Sequence, residues 1–237
     1  MRAGKVAKLS VVAWCVLMLN ACGTLEEKAW EPGETSLQVL DDGTVTETII
    51  DRLDQGYYNS SELENMINST VNEYNQIHGA DAVKIEEWTI ENNQVTLTMI
   101  YRSGKDYGDY NNVRFYSGSM LGAEMDGYLF YNQFQKVEKG EVTESNLSNE
   151  EALKHKEYQV LVTDASHVVR VPGDVVYISA NASPMGEKEV KPAEETIKVD
   201  QEGLVLPSSA VYVEEDHSPV TAKDLEKNYI YVIYDYE

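Results

Sequence analysis

Apolar positions change their spacing along the chain, and each change predicts an element. Ser36 to Leu40 and Thr44 to Ile50 read as two strands joined at Asp41-Asp42-Gly43, a hairpin turn. From Ser61 to His78 the period lengthens. Leu63, Met66, Ile67, Val71, Tyr74 and Ile77 recur at steps of three and four, which predicts a helix with Gly79 as its stop. Ser61 and Glu64 have capping-box spacing at its start. Alternation returns with Val83, Ile85, Trp88 and Ile90. It resumes after Asn92-Asn93 with Val95, Leu97, Met99 and Tyr101, a second hairpin with one packed face. The helix is expected to cover that face.

Val113, Phe115 and Tyr116 predict a short strand, and Met120 to Tyr128 a short helix interrupted by glycine. The polar, acidic stretch Glu138 to Asn149 reads as a boundary. Ser148 and Glu151 then cap a short helix ending near Lys156. Tyr158–Thr163, His167–Val171 and Val175–Ser179 are strand-like runs, with Pro172-Gly173-Asp174 turning the second into the third. Gly186 to Glu195 reads as loop. Short strands are expected at Thr196–Val199, Leu204–Leu206 and Val211–Val213. Tyr229 to Tyr234 has no polar break, the mark of a strand covered on both faces. The chain has no internal repeat. With three residues beyond that run, no wall-sorting tail is expected.

These elements predict an α+β fold: a hairpin–helix–hairpin lobe over residues 35–140, then a smaller β-rich lobe over 141–237. The region ahead of them has a different character. Arg2, Lys5 and Lys8 precede an apolar run from Leu9 to Leu19, which is shorter than the about 20 residues a bilayer crossing takes. A basic flank, a short apolar run and a small residue at the end fit an export signal over residues 1–21. Leu19-Asn20-Ala21-Cys22 resembles the lipobox of bacterial lipoproteins, with Asn20 departing from the small residue usual at its position. The resemblance implies cleavage before Cys22, diacylglycerol on its thiol, and attachment to the extracytoplasmic face of a cell membrane. Two acyl chains on one residue suffice for stable anchoring, where one chain does not. Residues 22–34 then read as the lipidated cysteine and a polar tether.

A second resemblance covers most of the remaining chain. Tyr74-Asn75, Asp109-Tyr110-Asn111-Asn112-Val113, Val171-Pro172-Gly173 and Tyr177-Ile178-Ser179 are similar to uncharacterised lipoproteins of Gram-positive gut bacteria. That family brings no assigned activity.

Composition narrows the partners. The net charge is −22, and removing the first 22 residues leaves 16 bases against all 41 acids, a net −25. Such a surface repels phosphate backbones, so nucleic acid is not an expected partner. The expected partners are membrane lipid through acylated Cys22 and an envelope protein or glycan. Cys15 falls in the signal and Cys22 takes the lipid, so the folded part is expected to hold without disulfides.

Catalytic and metal patterns are sparse. Gly118 to Gly122 has the glycine spacing of a nucleophile elbow, but Met120 stands where the serine belongs. His78, His155, His167 and His217 are scattered, and no close Cys/His set suggests zinc. Asp106, Asp109, Asn111 and Asn112 lack calcium-loop spacing and read as a solvated loop. No cofactor and no metal is expected. Among 41 acids, paired carboxylates for glycoside hydrolysis are always available, which makes their number uninformative.

Tyrosine use is the compositional oddity, with 16 Tyr against 3 Phe. A ring with a polar tip suits binding surfaces, and Tyr107, Tyr110 and Tyr116 form the candidate ligand or partner surface. The expected function is therefore a non-enzymatic binding or structural module of the envelope. The alternative is a surface hydrolase acting on wall or glycan through paired carboxylates. A transporter's solute-binding protein is disfavoured, because βαβ alternation is absent.

Overall fold

The computed structural model describes residues 30–54, 59–193, 198–199, 205–206 and 228–236. The first hairpin forms as the alternation predicts, from β1 (Ser36–Val39) and β2 (Val45–Arg52). The first helix, α1 (Ser60–His78), follows, then the second hairpin of β3 (Val83–Glu91) and β4 (Gln94–Tyr101). A short helix α2 (Gly104–Asn111) leads to β5 (Phe115–Ser119), α3 (Met120–Met125), β6 (Phe134–Glu138) and β7 (Glu141–Leu147). Next come α4 (Asn149–Leu153), β8 (Gln159–Thr163), β9 (Val168–Arg170) and β10 (Asp174–Ser179). The remaining strands are β11 (Ala182–Pro184), β12 (Glu189–Pro192), the pair β13 (Lys198–Val199) and β14 (Val205–Leu206), and β15 (Ile230–Asp235).

Strand pairing overturns the expected α+β arrangement of a helix–hairpin lobe followed by a β-rich lobe. The described residues are mostly β, at 43% strand and 22% helix, with two large sheets and four helices. One sheet has the order β11-β12-β9-β1-β2-β4-β3, the other β5-β8-β15-β10-β6-β7. Both draw strands from either side of the expected division at residues 140 and 141. The first is closed across by β1 and β9, which run parallel with Leu37 opposite Val169. Hydrophobic periodicity reports which face of a strand is buried but carries no information on which distant strand it joins. Pro32 onward accordingly forms one compact unit.

Two cores explain the strand compositions. Leu37, Val45, Leu97 and Met99 of the first sheet pack with Leu161, Ile178 and Val232 of the second. On the other face of the second sheet, Val160, Tyr231 and Ile233 pack with Met120 and Ala123 of α3 and Ala152 of α4. Both faces of β15 are therefore covered, which accounts for its unbroken apolar run.

Other expectations need correction. The acidic stretch from Glu138 is not a boundary but the β6–β7 hairpin, with β7 the exposed edge strand. Edge strands are commonly polar, because charge there discourages pairing with other chains. Asn59, rather than Ser61, caps α1, its side chain accepting from the Ser61 and Glu62 amides. Only Val71 of α1 is fully buried, while Met66 and Ile77 are exposed, so the helix is a peripheral layer. Part of the expected loop at Gly186–Glu195 is β12, and Asp106–Asn112 is largely helical. The segment Val211–Val213 lies outside the described residues.

Candidate functional site

Pro172-Gly173-Asp174 carries the chain from β9 in the first sheet to β10 in the second. A cleft of about 620 Å³ opens at this seam, within the size range of ligand pockets. Its walls are held by close backbone approaches. A Cβ on residue 173 would collide with the Asp235 carbonyl oxygen, so only glycine lets the corner lie against the end of β15. On the opposite wall, Lys139 (φ 53°) and Gly140 (φ 76°) form the tight β6–β7 turn. A Cβ at 140 would come within 2.8 Å of the Gly186 backbone. Lys188 Nζ donates to the Pro172 carbonyl at 3.0 Å and ties the two walls together.

Four acids line the cleft, together with Lys139, Lys188 and two tyrosines. Asp41 arrives from the β1–β2 turn, Glu138 from the end of β6, Asp174 from the start of β10 and Asp235 from the end of β15. Lys136, 2.8 Å from Glu138, holds that carboxyl below the usual glutamate range. The side chains of Asp41, Asp174 and Asp235 make no hydrogen bond or ion pair among the described residues. Tyr158 and Tyr236 supply rings, the second 47% exposed. Burial, then the charges of Asp235 and Glu157, pushes the Tyr158 phenol up. Carboxylates that accept from hydroxyl or ammonium groups, beside aromatic faces, can hold a polar ligand. No nucleophile–base pair lines this cleft. The two carboxyls that burial pushes up, Glu47 and Asp164, lie elsewhere.

The sequence-derived tyrosine surface does not form. Tyr107 is 1% exposed, packed edge-on against Tyr101 and Phe115. Tyr110 is half-buried, edge-on to Tyr74, with its hydroxyl 3.1 Å from Thr70 Oγ1. Tyr116 belongs to the other core, where its hydroxyl donates to the Ser119 carbonyl at 2.9 Å. Their spacing reflects one helix and one strand that supply different cores. Cys22 and the leader lie outside the described residues.

Of two buried acids, the sequence reading passed over Glu47 and placed Asp106 in a solvated loop. Glu47 is 4% exposed and accepts from the Tyr101 hydroxyl at 2.7 Å, with Asn111 Nδ2 donating to that hydroxyl at 3.1 Å. The Tyr107 hydroxyl also faces the Glu47 carboxyl and, like that of Tyr101, favours its charged form. Asp106 is 5% exposed and accepts from both arms of Arg102, at 3.1 and 3.2 Å, and from Ser103 Oγ and the Tyr74 hydroxyl. The signal for Glu47 was present, since it shares the face of Val45 and Ile49 at period two.

Among the described residues no set of three or more His, Cys, Asp or Glu is placed to hold a metal ion, and no helix is long and apolar enough to cross a membrane. Comparison of the chain with protein-family models, with characterised proteins and with solved structures returns no match.

Proposed function

We propose that the protein is a lipid-anchored lipoprotein of the extracytoplasmic membrane face whose folded unit is a non-enzymatic binding module of the envelope. Anchorage rests on the basic, apolar and Leu-Asn-Ala-Cys succession ending at Cys22. Binding rests on the seam cleft, where three carboxylates without a side-chain partner among the described residues sit beside two tyrosines. The cleft is the observation that carries the reading. A concave site with a few convergent polar groups is the usual form of a ligand pocket. The partner is an envelope protein or glycan, bound through hydroxyl or ammonium groups.

Two experiments test the two halves. Cys22→Ser is expected to abolish labelling by radioactive palmitate and move the chain out of the membrane fraction. Unchanged labelling and fractionation would refute the anchor. For binding, envelope extract and purified wall glycan are passed over the immobilised chain and over a variant with Asp41, Asp174 and Asp235 all changed to Asn. Retention is expected to fall by about tenfold or more in the variant, as for hot-spot loss. Equal retention would remove the cleft from the account. The acids of the lining also favour testing the hydrolase alternative, which predicts release of reducing ends from wall glycan by the unmodified chain and none by the triple variant.

A further inference from the structure

Glu47 poses a different problem from the cleft. Its carboxyl is in the core with no cation paired to it among the described residues, and burying an ionised group without one is costly. The groups facing it can be named element by element. β4 presents the Tyr101 hydroxyl, which also lies 3.6 Å from Met99 Sδ. α2 presents the Tyr107 hydroxyl, with Asn111 bonded behind Tyr101. β1 presents the apolar Leu37, the pairing partner of Glu47. The charged groups close by are two acids and the Arg102 guanidinium. Asp164 acts on the Tyr107 hydroxyl from the loop after β8, and Asp106 of α2 is occupied by Arg102.

The helix carrying two of these groups meets its surroundings through the rings of Tyr107 and Tyr110 on Tyr101 and Phe115, and through the polar chain from Asn111 by way of Tyr101 to Glu47. Asp106 and Tyr107 are the only fully buried residues of α2, and Tyr107 reaches the Glu47 carboxyl. α1, with one fully buried residue, is held to β3 by Asn75, which bonds both the amide and the carbonyl of Val83, and touches α2 at two points. Its Tyr74 hydroxyl donates to Asp106 at 3.3 Å, and Thr70 Oγ1 lies 3.1 Å from the Tyr110 hydroxyl.

We propose that the proton on Glu47 is a latch that holds α2 against the sheet, so that loss of this proton releases α2 while the sandwich stays folded. A neutral carboxyl can donate to one phenol oxygen and accept from the other without placing a charge in the core. Opening α2 admits water to the carboxyl and returns it to its ordinary behaviour. Burial raises the Glu47 pKa in the closed form against the opposing effect of the two phenols. The sign follows. Closure is fully favoured below the ordinary glutamate value and weakens as pH rises through the raised one. In that window one proton is at stake, so the open population rises by at most about tenfold per pH unit.

Amide hydrogen exchange on the full chain in detergent micelles, followed from the ordinary glutamate value of about 4.3 upward, reads this directly. After correction for the intrinsic pH dependence of exchange, amides of Gly104–Asn111 are expected to lose protection as pH rises, while those of Ile230–Asp235 do not. Glu47→Gln should remove the pH dependence. Tyr107→Phe, which deletes one hydroxyl favouring the charged form, should extend it to higher pH. Should the Gln variant not fold, the wild-type profile and Tyr107→Phe still decide. The proposal is overturned if α2 protection is independent of pH, if Glu47→Gln retains the full dependence, if Tyr107→Phe leaves the profile in place, or if β15 loses protection in parallel with α2.

Discussion

Glu47 and Asp106 are nearly equally buried, at 4% and 5% exposure, and sit on either side of the same helix–sheet contact. Their partners differ. Asp106 meets a forked guanidinium, two hydroxyl donors and the Ser103 cap, and its bond to Tyr74 joins α1 to α2. Glu47 meets only phenols. Depth of burial therefore does not fix what a buried acid does; the charge of the group opposite it does. One acid can act as a permanent clasp, the other as a clasp that depends on a proton.

The comparison can be broken at four points. Asp106→Ala removes every bond of the clasp and leaves the Tyr74 hydroxyl and Ser103 Oγ without their acceptor. A loss of about 3 kcal/mol is expected in urea titration. Arg102→Met sharpens the contrast by giving Asp106 an environment like that of Glu47. The Arg102 side chain is 52% exposed, so water will replace part of its role. About 2 kcal/mol of destabilisation is expected by calorimetry, less than for removal of a partner from a fully buried pair. Tyr101→Phe leaves Glu47 with a single phenol and Asn111 Nδ2 without that acceptor. It should cost about 1.5 kcal/mol, and more at alkaline than at acidic pH, read as the midpoint of chemical unfolding in each buffer. Glu47→Gln has the smallest effect and the opposite sign. It should be near neutral at mildly acidic pH and stabilise by about 1 kcal/mol at alkaline pH, where the native carboxyl is ionised against its surroundings.

Local elements were largely legible in the sequence, and long-range pairing was not. The alternation in β4 marked Val95, Leu97, Met99 and Tyr101, and all four are buried. The step of three between Ile85 and Trp88 corresponds to a bulge, where the pairing with β4 shifts between Ile85 and Glu87. The unbroken run in β15 announced two covered faces. Nothing local announced that Ser36–Gln38 would pair in parallel with Val168–Arg170, because such pairing is decided by tertiary packing more than a hundred residues away. The helix α2 was misread because Gly104, Gly108 and two aspartates have weak helical propensity. Ser103, three residues before Asp106, is a capping signal that could have found it. The cleft was invisible as a site because its acids come from four separate elements. Only its Pro172-Gly173-Asp174 corner and the Asp41-Asp42-Gly43 turn stood out beforehand, both as turns.

The contrast between the two acids reduces to one titration. Carbon-13 resonances of the Glu47 side-chain carboxyl, assigned by loss in Glu47→Gln and followed against pH, should give a midpoint above the ordinary glutamate value of about 4.3. A midpoint at or below that value would mean that the phenols outweigh burial and that the acid is charged throughout, and the latch would have no proton to lose.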